Sequence, residues 1–221
     1  MKQLALFLIC ASIAVPQVAD EANRTYRTPE GRDAVARGLA DPHRDETQKP
    51  RELVEAMGLK PGQSVADVGT GVGYMLPYLS GAVGPTGHVM AEDIAQDFLD
   101  KAKLRVRTGN LKNVAFVLGT DKDPKLPADT FNAVLVLDTY HHFDYPETML
   151  GSIRDSLLSD GRLFIVDYYK SPTAMPAGRA MTHIRLDRDD VAREIEASGF
   201  RLAAKSDHIP NSQYMLTFQK K

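Results

Sequence analysis

The chain has no tryptophan and a single cysteine, Cys10, among its 221 residues. One thiol excludes an internal disulfide framework and any multi-cysteine zinc site. Charge of one sign is also scarce: 27 Lys and Arg stand against 29 Asp and Glu, a formal net charge of −2. That balance lacks the basic footprint expected of a nucleic-acid or anionic-membrane binder. No run of 18 apolar residues occurs, so no ordinary membrane span is expected. Glycine and proline are unexceptional at 16 and 13, and 43% of residues are hydrophobic, which excludes a collagen-like or wholly disordered chain. What is present suffices for one domain with a full core.

The first residues form a separate element. Met1-Lys2-Gln3 is followed by an apolar stretch from Leu4 to Val15, with small residues at Ser12 and Ala14 and a second possible end at Ala19. A positive start, a short apolar run and small residues after it read as a secretory signal over residues 1–19. The expectation is an exported protein of the bacterial periplasm, the alternative being an uncleaved leader that tethers it to the membrane. Ile9 before Cys10 suits a lipoprotein cleavage site poorly, and removal of the leader would leave no thiol for catalysis. Asn23-Arg24-Thr25 has the form of a glycosylation sequon and is read as chance. Residues 20–48 read as an extended polar N-terminal arm with one short helix near 31–40, and residues 49–221 as the functional domain.

From residue 49 strands and helices alternate. A helix over 49–58 ends at Gly58, and Pro61-Gly62 marks a turn. Strands are expected at 64–68, 88–92, 114–118, 131–137 and 162–167. Between them fall helices at 74–81, 95–108 and 146–158, the last closed by Ser159-Asp160-Gly161. Strand–helix–strand units of this length require a parallel sheet covered on both faces, and runs such as Ala133–Leu137 are apolar throughout, as doubly covered strands are. A helix at 188–198 and strands near 200–206 and 213–219, joined by a short polar connection, close the chain with an antiparallel hairpin. The fold class is α/β: a doubly wound, Rossmann-like sheet of about seven strands, mostly parallel.

The most informative segment is Asp67-Val68-Gly69-Thr70-Gly71-Val72-Gly73-Tyr74. Alternate glycines let backbone turn sharply and approach a ligand closely, at the first strand–helix turn where such sheets bind nucleotides. The dinucleotide fingerprint fails, because Tyr74 stands where its third glycine belongs. Asp67, two residues before the first glycine, would repel a pyrophosphate but suits a cationic amino-acid group. Glu92-Asp93 at the end of the second strand offers a carboxylate for ribose hydroxyls, with Asp93 preferred because strand alternation turns Glu92 the other way. The turn at Gly119-Thr120-Asp121 would lie beside a base. Amino acid, ribose and adenine in that order describe S-adenosyl-L-methionine.

Asp67-x-Gly69-x-Gly71-x-Gly73, then Asp93, then Leu126-Pro127 ahead of 131–137, then 157–167, resembles the successive motifs of the class I S-adenosyl-L-methionine-dependent methyltransferases over residues 49–219. The resemblance implies that Gly69, Thr70, Gly71 and Gly73 with Asp67 hold the methionine part, Asp93 and Ile94 the ribose side, and Thr120 and Asp121 the adenine. The loop at 119–125 is longer than is usual in the family. An N-P-P-Y-like signature, found in members that methylate planar amides or bases, is absent after the fourth strand, which disfavours a DNA-base or glutamine acceptor.

In its place stands Asp138-Thr139-Tyr140-His141-His142-Phe143. Asp138 is expected near the methionine end or capping the turn. His141 and His142 are the candidates for a general base, against a role in holding the loop. Two adjacent histidines share no helical face and no third ligand is evident, so no metal is expected. Residues 168–186, an irregular insertion with His183 and Arg185, and the arm with Arg44, would roof the acceptor pocket. Arg44 is a candidate for closing over the cofactor carboxylate. The reading is a methyltransferase acting on a small-molecule acceptor, with an exported, non-catalytic nucleoside- or partner-binding protein as the alternative. The oligomeric state is left open.

Overall fold

The computed structural model describes residues 17–221. The leader assigned to residues 1–19, with Cys10, therefore lies outside the described residues except for its last three positions.

Residues 20–48, expected to be extended with one helix, are mostly helical: α1 (Asp20–Asn23), a 3-10 turn (Arg24–Arg27), α2 (Pro29–Leu39) and α3 (Arg44–Gln48). Composition hides this because few apolar residues are involved. Thr28 caps α2 by accepting from Gly31 N, with Pro29 in the first turn. The arm is then fixed by tertiary burial, with Ala36 packed with Val72 and Phe98, and Tyr26, Val35 and Leu39 against them.

The remaining elements are α4 (Pro50–Met57), β1 (Ser64–Val68), α5 (Leu76–Val83), β2 (His88–Asp93), α6 (Gln96–Thr108), β3 (Val114–Leu118), β4 (Phe131–Leu137), α7 (Pro146–Ser156), β5 (Leu157–Tyr168), α8 (Ala180–His183), α9 (Arg188–Ala197), β6 (Phe200–Ile209) and β7 (Gln213–Lys220). They form one seven-stranded sheet in the order β3-β2-β1-β4-β5-β7-β6. All pairs from β3 to β5 are parallel, while β7 runs antiparallel to both β5 and β6. The strand order reverses between β1 and β4, so loops after β1, β2 and β4 open a crevice at the carboxyl edge.

Side-chain alternation builds two cores from one sheet. Ala133, Leu135 and Leu137 pack with Val65, Leu53, Leu76 and Leu79 on one face. Val134 and Val136 pack with Ala66, Leu150, Ile153 and Ile195 on the other. The Ser159-Asp160-Gly161 turn signal does not separate α7 from β5, since β5 begins directly at Leu157. Phe131 pairs with Leu157 and Ala133 with Arg162, so the extra residues are absorbed as an irregularity in the ladder. The insertion after β5 is not irregular throughout: it carries a 3-10 turn (Pro176–Gly178) and α8. No helix among the described residues is long and apolar enough to cross a membrane.

Candidate functional site

A cavity of about 500 Å³ opens at the carboxyl edge, walled by the loops after β1, β2 and β4 and roofed by the arm. Its size is that of a cofactor pocket. Of the residues expected at the site, Asp67, Gly69, Thr70, Gly71, Asp93, Ile94, Asp121, Asp138 and His142 line it. Gly73, Thr120 and His141 are not in the lining.

The glycine loop is braced by its own carboxylates. Asp67 accepts from Thr70 Oγ1 at 2.7 Å, and Asp93 accepts from Gly71 N at 2.8 Å and Ala95 N at 2.9 Å. Gly69 has a φ of +73°, and a Cβ there would overlap the Thr139 side chain. Only glycine combines that backbone with so close a neighbour. Gly73 packs tightly instead of facing a ligand, since a Cβ on it would press on Leu76 and Ala102. Thr120 is spent within its own turn, its hydroxyl accepting from Lys122 N and Asp123 N.

The alternation argument against Glu92 fails. Glu92 lines the cavity with Asp93; its Oε2 accepts from Gly69 N at 3.2 Å, while its buried Oε1 has no partner among the described residues. Both residues belong to β2 and stay in register with Val117 and Leu118 of β3, so at the strand's carboxyl end alternate side chains both reach the crevice. The carboxyls form a crowded, water-poor cluster. Burial raises Asp67 to about 6, against the opposing hydrogen bond from Thr70. Burial likewise raises Asp93 to about 6, against backbone hydrogen bonds, and pushes Glu92 well above its ordinary value. Asp138 rises to about 7 by burial, with Arg44 opposing.

Asp138 adopts φ +52° and accepts from Gln213 Nε2 at 2.6 Å. Arg44 Nη2 stands 3.5 Å from its other oxygen, with the guanidinium 4.1 Å over the Tyr74 ring. Asp45 accepts from the hydroxyls of both Tyr74 and Tyr78, so α3 is clasped over the glycine loop. Arg32, paired with Asp97 at 2.8 Å, and Tyr26 complete the arm's contribution to the lining. Tyr26, Arg32 and Phe98 carry no motif, and Asn23 only a sequon read as chance; their neighbours in space mark them.

His141 is buried and held by Asp167: its Nδ1 lies 2.7 Å from Oδ1 and its backbone N donates to Oδ2 at 3.0 Å. His142 faces the cavity, its Nδ1 donating to Asn23 Oδ1 at 2.9 Å. Burial drives His142 well below its ordinary pKa and His183 down to about 4. Arg185 does not reach the cavity; it is locked on Glu194 at 2.5 and 2.9 Å. His183, expected only as a roof residue, instead joins the histidine pair, with ring centroids 4.9 Å from His141 and 5.4 Å from His142. The third histidine that the sequence did not reveal is thus present.

Residues 66–165 match a family described as Methyltransferase domain. The ubiquinone/menaquinone biosynthesis C-methyltransferase UbiE of Vibrio campbellii is 28% identical over 121 residues, 54% of this chain and 47% of that protein. The chain thus spans about half the length of the curated relatives it matches. A crystal structure of a SAM-dependent methyltransferase from Aquifex aeolicus superposes with a TM-score of 0.78 at 26% identity, covering 85% of this chain and 98% of the other. The [4+2]-cyclase SpnF superposes with a TM-score of 0.66 at 15% identity over 78% of this chain and 81% of that one, a likeness of fold alone.

Proposed function

Since the chain belongs to the class I S-adenosyl-L-methionine-dependent methyltransferases, we propose that its cavity binds that cofactor and transfers the methyl group to a small, largely apolar acceptor. The observation that carries this reading is the cradle itself. Gly69 and Gly71 bare their backbone at the cavity floor, beside Asp67 and Asp138 at one end and Glu92 and Asp93 at the next strand end. That order of groups fits an ammonium, then a ribose.

Asp67, Asp138 and Arg44 would hold the amino-acid end, where Arg44 can meet a carboxylate and the two acids an ammonium. Asp93 would accept from ribose hydroxyls, beside Glu92, whose Oε2 braces Gly69 N. Ile94, Phe98 and Asp121 would flank the base. When bound, the cofactor supplies an electrophilic methyl group on sulfur; the chain supplies alignment and exclusion of water. The arm excludes water by roofing the cavity with Tyr26, Leu39 and Arg44. His142 stands at the cavity wall with Nδ1–H tied to Asn23, so its Nε2 carries the lone pair that could take a proton from an acceptor. Leu137, Phe143 and Met149 give that region apolar walls, which suits a ring-bearing small molecule. The curated relatives are named for C-methylation in quinone biosynthesis, a compatible acceptor class.

Calorimetry separates the possibilities. Binding of S-adenosyl-L-methionine and S-adenosylhomocysteine without binding of NAD is the expected result; silence toward both sulfur nucleosides ends the proposal. We also propose that the chain is exported, on the strength of the leader-like residues 1–19. N-terminal sequencing of protein from a fractionated host tests this, and a start at Met1 in the cytoplasmic fraction overturns it.

A further inference from the structure

We propose that His141, His142 and His183 form a three-histidine site for a divalent transition metal of the zinc type. One ligand nitrogen from each residue lies within 4.8 Å of the other two. The rings cluster with centroids 4.1, 4.9 and 5.4 Å apart. Two of them come from the turn after β4. The third comes from α8, forty-one positions on, so the cluster is a product of the fold and not of local sequence.

The hydrogen bonding of the cluster points the same way. The Asp167 carboxylate can only accept, so His141 Nδ1 carries the proton and Nε2 the lone pair. Asn23 spends its Nδ2 on the His142 carbonyl and offers Oδ1 to His142 Nδ1, which fixes the same tautomer there. A ring whose Nδ1–H is held by a carboxylate or amide oxygen and whose Nε2 is presented elsewhere is the arrangement by which proteins orient metal-binding histidines. Neither Nε2, nor either ring nitrogen of His183, has a hydrogen-bond partner among the described residues. None of these nitrogens is a buried orphan, so each is accessible to a ligand.

Three neutral imidazoles select a borderline ion such as zinc over magnesium or calcium, which need oxygen ligands. A tetrahedral ion with bonds of about 2.0–2.1 Å holds its nitrogens about 3.3 Å apart, so the rings need close by only about 1–2 Å. His183 lies on a four-residue helix and is incompletely buried, which leaves it room to make that adjustment. Catalytic three-histidine sites keep a fourth position for water or substrate oxygen. His142 belongs to both the triad and the cavity wall, so an ion held here would border the acceptor. The site goes beyond the methyl-transfer reading and leaves the cofactor cradle untouched, but an ion on His142 Nε2 occupies the lone pair assigned above to proton acceptance, so those two uses of the atom exclude each other.

The test uses the full chain without a histidine tag, stripped with a chelator and titrated separately with Zn²⁺, Co²⁺ and Mg²⁺. One equivalent of Zn²⁺ should bind, and Co²⁺ should develop the intense visible bands of a four- or five-coordinate nitrogen site. His183→Ala and His142→Gln should each weaken Zn²⁺ binding at least 100-fold, and Asn23→Ala about 10-fold through loss of ring orientation. His43→Ala, at an exposed histidine of the arm, should change nothing. Circular dichroism and S-adenosylhomocysteine binding by His183→Ala report whether that variant is folded. Zinc affinity equal in the wild type and a folded His183→Ala chain, or a Co²⁺ spectrum no different from the aqueous ion, overturns the site.

Discussion

Asn23 and His142, 119 positions apart, hold each other by two hydrogen bonds: Asn23 Nδ2 donates to the His142 carbonyl at 3.0 Å, and Asn23 Oδ1 accepts from His142 Nδ1 at 2.9 Å. Tyr26 adds an edge contact to the same ring at 4.6 Å. The pair joins the arm to the loop after β4, so closing the cavity and orienting the histidine are one structural event.

Removing that clasp should loosen the arm before the sheet. Asn23→Ala is expected to cost about 1–2 kcal/mol, the usual yield of two partly buried hydrogen bonds. Hydrogen exchange should speed up in residues 17–48 while β1 and β4 stay protected. Uniform exchange across the chain would refute a local clasp.

Asp93 should be separable into a brace and a ligand contact. Asp93→Ala removes acceptors for Gly71 N and Ala95 N and should lower stability by about 2–3 kcal/mol. Asp93→Asn keeps the shape and one acceptor oxygen but sets its NH2 against the other backbone donor, a smaller cost of about 1–2 kcal/mol. It should stay folded yet bind S-adenosyl-L-methionine about tenfold more weakly, because a charge-assisted bond to the ribose becomes a neutral one. Wild-type affinity in a folded Asp93→Asn chain would remove the ribose role.

The carboxyl cluster makes stability and ligand binding respond to pH in opposite senses. Asp67 and Asp93 lie near 6 and Asp138 near 7 in the fold, above the ordinary value of 3.8. Between about pH 4 and 7 the native state therefore holds more protons than the unfolded one, so unfolding free energy falls as pH rises through that window. A cationic ligand favours the ionised carboxyls. Its binding should release protons near pH 6 and tighten toward pH 8. Calorimetry in buffers of different ionisation enthalpy measures this directly, and proton uptake on binding would contradict it.

Gly69 offers a steric test. Gly69→Ala must place a Cβ at φ +73° and against Thr139, and should cost about 2–4 kcal/mol. Thr139→Ala in the same chain should relieve the overlap with Cγ2 and Oγ1, leaving the 2.9 Å approach of its Cβ and the backbone strain. Denaturant melts of the two singles and the double variant should give a coupling of about 1 kcal/mol or more, and strict additivity would mean the contact is not what excludes a side chain.

Sequence by itself determined the frame. The apolar runs at Ser64–Val68, Val114–Leu118 and Phe131–Leu137 form strands at the residues read from their pattern, and the alternation of strand and helix dictated the doubly wound order. Asp67 and the loop glycines were visible for the same reason: local backbone demands write themselves into neighbouring residues. Tertiary structure decided the rest. The arm folds because α2 buries Ala36 against Val72 and Phe98, a contact no window along the chain contains. Glu92 reaches the cavity because its carboxylate is drawn to Gly69 N of the neighbouring loop. Asn23 resembled a chance sequon and is a clasp. His183 joins His141 and His142 only because the crossover from β4 through α7 and β5 returns the chain to the same edge of the sheet. Local propensity is encoded within a few residues, whereas a site assembled from distant segments depends on contacts that exist only once the core has closed around them.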